Sequence, residues 1–146
     1  MKHIFAAIAI LISSNAYCAE LGKCNQPYLF PIVSVVELIA SPERWSGKEI
    51  SVVGFGVFEY EGDSVYFHKE DYFLALNQNA VALEFRYNRD HTLIDKSIKL
   101  KGLNKSYIRV AGTFVARPPG EPYMSGETAG GITNICFVEP WQIRRK

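Results

Sequence analysis

The chain has 146 residues, 48% of them hydrophobic and 13% aromatic, and its sixteen Lys and Arg against fifteen Asp and Glu leave a formal net charge of +1 at pH 7. That length suits one domain with a real core and leaves no room for a second. A charge so near zero argues against general nucleic-acid binding, which needs a surplus of cations to displace counterions.

Residues 1–18 read as a secretory signal peptide. Lys2 and His3 precede the apolar run Ile4 to Ile12, and the small, polar Ser13, Ser14, Asn15 and Ala16 follow it. Cleavage is expected after Ala16 or after Cys18. The run is far shorter than the roughly 20 apolar residues of a membrane-spanning helix, and no later segment approaches that length, so the expectation is a periplasmic or secreted protein without a transmembrane anchor. A lipoprotein signal would place a small residue before the cysteine and an aliphatic one three before it, where this chain has Tyr17 and Asn15.

The cut decides the cysteine inventory. After Ala16 the mature chain keeps Cys18, Cys24 and Cys136; after Cys18 it keeps only Cys24 and Cys136, which can pair in an oxidising compartment. A Cys24–Cys136 disulfide is expected, tying an N-terminal arm at 19–31 to the last strand and contributing about 4 kcal/mol in the chain-entropy account. No Cys-x-x-Cys spacing is present, so the bridge reads as a staple and not a redox centre.

The domain at 32–143 begins with a capping box. Ser34 followed three residues later by Glu37 opens a short helix, Val35 to Ala40, that stops near Ser41-Pro42. Pro42 to Lys48 is a turn into a long extended run, Glu49 to Tyr60. Gly54 and Gly56 fall on one face of that run, where they permit the sharp coil by which one strand serves both halves of a small barrel. Glu61-Gly62-Asp63 is a hairpin turn and Ser64 to His68 the return strand. Tyr72, Phe73 and Leu76 at helical spacing predict a short helix within Lys69 to Gln78. Val81, Leu83, Phe85 and Tyr87 alternate with Ala82, Glu84 and Arg86 in a third strand.

Asn88 to Asn104 is polar with scattered aliphatics and reads as a short helix plus a loop. Tyr107 to Val115 is a fourth strand, with Ile108, Val110, Gly112 and Phe114 facing in. Arg117 to Gly131, rich in Pro and Gly, is a long loop, Ile132 to Val138 is the last strand, and residues 144–146 form a basic tail. The fold class is therefore all-β, a five-stranded OB-like barrel with a short N-terminal helix and a helical insert between strands three and four; a β-sandwich is the alternative. By fold analogy, the turn after the first strand and the loop before the fifth flank the face with which such barrels bind.

Several segments carry a resemblance. Glu37-Leu38-Ile39-Ala40-Ser41-Pro42-Glu43-Arg44-Trp45-Ser46-Gly47-Lys48, Val53-Gly54-Phe55, Tyr66-Phe67-His68-Lys69-Glu70-Asp71-Tyr72, Val110-Ala111-Gly112-Thr113-Phe114, Gly131-Ile132-Thr133-Asn134-Ile135 and Glu139-Pro140-Trp141 resemble a group of small exported bacterial proteins with an OB-like domain and no assigned activity. The similarity spans roughly Ile32 to Trp141. It implies the fold and the compartment and carries over no catalytic residue. The stretch Arg117 to Pro122 is longer than that group's usual loop.

No catalytic or metal motif stands out. His68 beside Glu70 and Asp71 is the densest functional cluster, and it reads either as a general base or weak metal site or as the acidic first turn of a helix. The multi-His spacing of a zinc site is absent, Ser125-Gly126 lacks the flanks of a nucleophile elbow, and the glycines after Gly120 lack the lysine of a phosphate loop, so no metal and no cofactor are expected. Charge is uneven: acids dominate from Glu37 to Glu84, whereas Arg86 to Arg109 holds seven bases against Asp90 and Asp95. Those bases are either a solvated face or a docking patch around Lys96, Lys99, Lys101 and Lys105. The aromatics outnumber what a small barrel can enclose, so some lie outside, as an interface or beneath a covering helix.

The sequence is thus read as a non-enzymatic exported module that binds another protein of the envelope, an inhibitor or immunity-like factor against a secreted toxin or hydrolase, with Tyr123 and the basic patch as contacts. The alternative is a small-ligand or glycan-binding barrel with Tyr66, His68 and Tyr87 lining the groove. A hydrolase using His68 with Glu70 or Asp71 is the least supported reading.

Overall fold

Nine residues of near-continuous extended propensity organise the domain. In the computed structural model, which describes residues 24, 26–59, 62–86, 93, 98–118 and 128–142, they form the second of six strands. The elements run as a 3-10 turn (Pro27–Leu29), β1 (Ile32–Ser34), α1 (Val35–Ala40), α2 (Pro42–Trp45), β2 (Glu49–Val57), β3 (Ser64–Tyr66), α3 (Lys69–Phe73), a second 3-10 turn (Asn77–Asn79), β4 (Ala80–Leu83), β5 (Ser106–Ala116) and β6 (Gly130–Pro140). The expected signal peptide, both cleavage sites, Cys18 and the basic tail at 144–146 lie outside the described residues, as do Tyr87, His91, Lys96 and Tyr123.

Strands β2, β3, β4, β6 and β5 are hydrogen-bonded in that order, and β5 returns to β2, so the five close into a barrel. Closure rules out the sandwich arrangement. Pairing is antiparallel throughout the ring except between β4 and β6. Outside it, β1 lies parallel to β2.

The long strand does serve two neighbours on one edge. Ser51, Val52 and Val53 pair with β1, whereas Phe55, Gly56 and Val57 pair with β3. Gly54 sits at the changeover. A Cβ there would lie 2.7 Å from Val65 Cγ2 and closer still to the Tyr66 carbonyl, and one at Gly56 would lie 2.8 Å from Ile108 Cγ1. Both glycines are thus required by close approach of neighbouring strands.

Ile50, Val52, Val65, Val81, Ile108, Val110, Phe114 and Ile132 fill the interior, each fully buried. Val35 and Leu38 of α1 join this core, and the helix begins as its capping serine predicts, with Ser34 Oγ accepting the Glu37 N–H at 3.0 Å. The expected inward set on β5 is all buried.

Some boundaries depart from expectation. Pro42 starts a single helical turn, α2, because proline is pre-organised for a first helical position. The helix expected within 69–78 ends at Phe73, where Ala75 turns the chain with φ of 55°. β4 stops at Leu83, short of Phe85, with Ala82 and Leu83 as its register partners on β6. The segment expected to hold a helical insert between strands three and four falls largely outside the described residues; its described end, 98–105, contains turns and no helix.

Cys24 and Cys136 form the expected disulfide, with Cα atoms 5.7 Å apart across 112 residues of sequence. It joins the arm before β1 to the middle of β6.

Candidate functional site

Side chains alternate along a strand, so the residues flanking the inward set of β2, β3 and β5 point outward. On that outer face Phe55 lies directly opposite Tyr66 of β3 on one side and Tyr107 of β5 on the other. The Trp141 N–H donates to the Tyr107 carbonyl at 2.9 Å, so the end of β6 extends the row. Tyr66, Phe55, Tyr107 and Trp141 thus form a band across the barrel exterior.

The inner end of this band is covered. α3 lays Tyr72 across it, with ring centroids 5.6 Å from Tyr66 and 6.2 Å from Phe55. Phe55, Val57, Tyr66 and Ala80 form a second small core there, with Tyr72 packed against it. The outer end is open: Tyr107 is 37% exposed and Trp141 39%. Beside the band, Phe73 and Leu74 at the end of α3 protrude at 67% and 69% exposure, and Phe67 is exposed as well.

Asp71 fixes the position of α3. Its Oδ2 accepts the His68 N–H at 2.8 Å and its Oδ1 accepts from Asn79 Nδ2 at 2.8 Å, while its carbonyl accepts the Leu76 N–H. The first bond is a helix cap in which the acidic residue reaches back to the N-terminus. Tyr66 adds a second tie, its hydroxyl donating to Asn77 Oδ1 at 2.9 Å. Burial raises the Tyr66 phenol above its ordinary value, and the neighbouring Tyr72 and Glu59 add to the shift.

A polar clamp borders the band. Tyr72 donates its hydroxyl to Glu59 Oε1 at 2.7 Å, Lys105 Nζ lies 3.3 Å from the same oxygen, and Lys105 also sits 5.0 Å above the Tyr72 ring. The Tyr72 hydrogen bond, then Lys105, holds the Glu59 carboxyl below its ordinary range. Hydrogen bonds to Tyr72 and Glu59 raise Lys105 in turn.

Of the residues singled out from the sequence, Tyr66 belongs to the band but is 8% exposed with its hydroxyl committed to Asn77. His68 is exposed at the start of α3, with its ring 4.0 Å from that of Phe67. Lys99 and Lys101 are exposed on the segment leading into β5, and Lys105 is engaged by Glu59. Asp71, the candidate partner of His68, has both carboxylate oxygens in structural hydrogen bonds. Sequence reasoning missed the roles of Phe55, Tyr107, Trp141 and Glu59. For Phe55 and Tyr107 the signal was an aromatic on an outward position of a strand whose inward positions are already apolar.

Among the described residues no group of three or more His, Cys, Asp and Glu side chains is placed to hold a metal ion, and no helix is long and apolar enough to cross a membrane. Comparison of the chain with protein-family models, with curated proteins and with solved structures found no match.

Proposed function

We propose that the protein is a non-enzymatic, exported binding module on an OB-like barrel, which engages another protein of the bacterial envelope through the outer face of β2, β3 and β5. The ring order and the long, glycine-kinked β2 support the OB-like reading, as does the sequence resemblance. The hydrophobic run at 4–12 and the Cys24–Cys136 bridge support export.

One observation carries the binding reading. Phe73, Leu74, Tyr107 and Trp141 are exposed on and beside the aromatic band, next to a patch of the same surface that α3 already covers. Exposed apolar area costs about 25 cal/mol per Å² relative to burial, and aromatic residues flanked by polar clamps are the composition of interface hot spots. An inhibitor or immunity-like role against a toxin or hydrolase fits a single stapled domain with this face.

The ligand reading has less support, because the barrel interior is filled by its own side chains and the Tyr66 hydroxyl is bonded internally. Of the two carboxylates the hydrolase reading could use to orient His68, Glu70 and Asp71, that of Asp71 is committed to structural hydrogen bonds.

The test is capture from envelope and secreted extract by the mature, oxidised protein, read by mass spectrometry. A stoichiometric protein partner is expected. No partner at high coverage, together with thermal stabilisation by a sugar or other small molecule, would overturn the reading in favour of a ligand.

A further inference from the structure

The arm before β1 touches three strands on another part of the barrel exterior. It meets β6 through the Cys24–Cys136 bond and through Tyr28, whose ring lies 5.1 Å from Phe137. It meets β5 and β2 through carbonyls: that of Pro27 accepts from Arg109 at 3.2 Å, and that of Pro31 accepts the Ser51 N–H at 2.9 Å. Among its described residues the further hold is slight. The 3-10 turn Pro27–Leu29 buries none of its residues, and Tyr28 and Leu29 are mostly exposed.

Beneath the arm lies Arg109, 8% exposed. Its Nη2 donates to the Pro27 carbonyl and to Ser51 Oγ at 3.1 Å, its Nη1 is 4.0 Å from Glu139 Oε1, and its Nε has no hydrogen-bond partner. The guanidinium is thus removed from water with Nε unfilled, the Glu139 carboxylate at 4.0 Å and the Phe137 ring centroid 5.9 Å from its Cζ, and a buried cation held this way is costly to keep.

We propose that the arm is a strap, latched by the Cys24–Cys136 bond, over an oxyanion-binding site formed by the Arg109 guanidinium and the Ser51 hydroxyl, and that a dithiol reductant opens it. A thiolate of the dithiol attacks one sulfur of the bridge, the S–S bond breaks, and the second thiol resolves the mixed disulfide. Two electrons pass to the protein, Cys24 and Cys136 take up protons as thiols, and the dithiol closes to its own disulfide. Release withdraws the Pro27 carbonyl from Nη2, leaving a planar fork of donors that matches a carboxylate or phosphate. β1 stays paired to β2 through Ile32 and Ser51, so the ring is untouched by the strap's departure.

The test is arginine-selective modification by phenylglyoxal, followed at each arginine by peptide mass spectrometry. The mature oxidised protein is compared with its dithiothreitol-reduced form and with Cys136→Ser, which removes the barrel half of the latch whichever upstream cysteine remains. Modification of Arg109 is expected to rise about tenfold in both opened forms as local protection is lost, with Arg44 unchanged and the near-UV circular dichroism retained. Inorganic phosphate or acetate is expected to slow the reaction at Arg109 in the opened forms only, and which of them does so distinguishes a phosphate ligand from a carboxylate. Arg109 staying protected in a folded, opened protein would overturn the proposal. So would protection by neither anion, or a simultaneous loss of the near-UV signal, which would make the disulfide a staple of the barrel itself.

Discussion

Single side chains decide how α3 is held against the barrel. The Tyr72 hydroxyl and Lys105 meet on one oxygen of Glu59, and Tyr72→Phe is expected to lower stability by about 1 kcal/mol, measured by urea unfolding. The pH dependence follows from the shift directions. Glu59 titrates lower in the folded state than its ordinary 4.5, so its contribution is present above that value and is lost as pH falls through the folded value. Lys105 titrates above its ordinary 10.5, so its contribution is present below that value and is lost as pH rises through the folded one. Glu59→Gln is expected to flatten the acid limb of the stability profile and leave the alkaline limb of Lys105 reduced but visible; an unchanged acid limb would contradict the clamp. Asp71 has the larger structural role, because both of its oxygens face donors. Asp71→Asn turns one acceptor into a donor facing a donor, and a loss of about 2 kcal/mol is expected in the same assay.

At the scale of elements, β2 is the part most constrained by its neighbours. Gly54→Ala would press a methyl group into the Tyr66 carbonyl and Val65, and neither backbone nor branched side chain yields cheaply. A loss of about 2–3 kcal/mol in thermal or denaturant unfolding is expected. This much was legible in the sequence: two glycines on one face of a β-branched run, a Ser34 cap ahead of a short helix, and the alternation of Ile108, Val110 and Phe114 all speak of local backbone and face. The length of β4 was not legible, because alternation through Tyr87 describes a strand's potential faces, while its end depends on which residues of β6 come within reach. The outward aromatics escaped for a related reason. Periodicity tells which face a residue takes, whereas Tyr72 lying over Phe55 and Tyr66 depends on a helix that folds back from a different stretch of chain.

For the whole molecule, the ring closes without the arm, and the arm is fastened by Cys24–Cys136. Cys136→Ser is expected to unfold in one cooperative transition at a lower midpoint, with stability reduced by up to about 4 kcal/mol, since the loss is mainly of restraint on the unfolded chain. A noncooperative transition would show instead that the barrel depends on the bridge. The pairing of the cysteines was legible once the cut was placed after Cys18, which leaves only Cys24 and Cys136; the guanidinium beneath the arm was not, because nothing in the spacing of Arg109 and Pro27 announces that they meet. The central claim concerns the exposed side chains on and beside the aromatic band, of which Phe73 and Leu74 protrude most, and the most direct measurement is capture of the envelope partner by a Phe73→Asp, Leu74→Asp double variant beside the unaltered protein. Both side chains are largely solvent-exposed, so the account predicts an unchanged melting temperature and loss of the partner. Equal capture by the folded variant would contradict it.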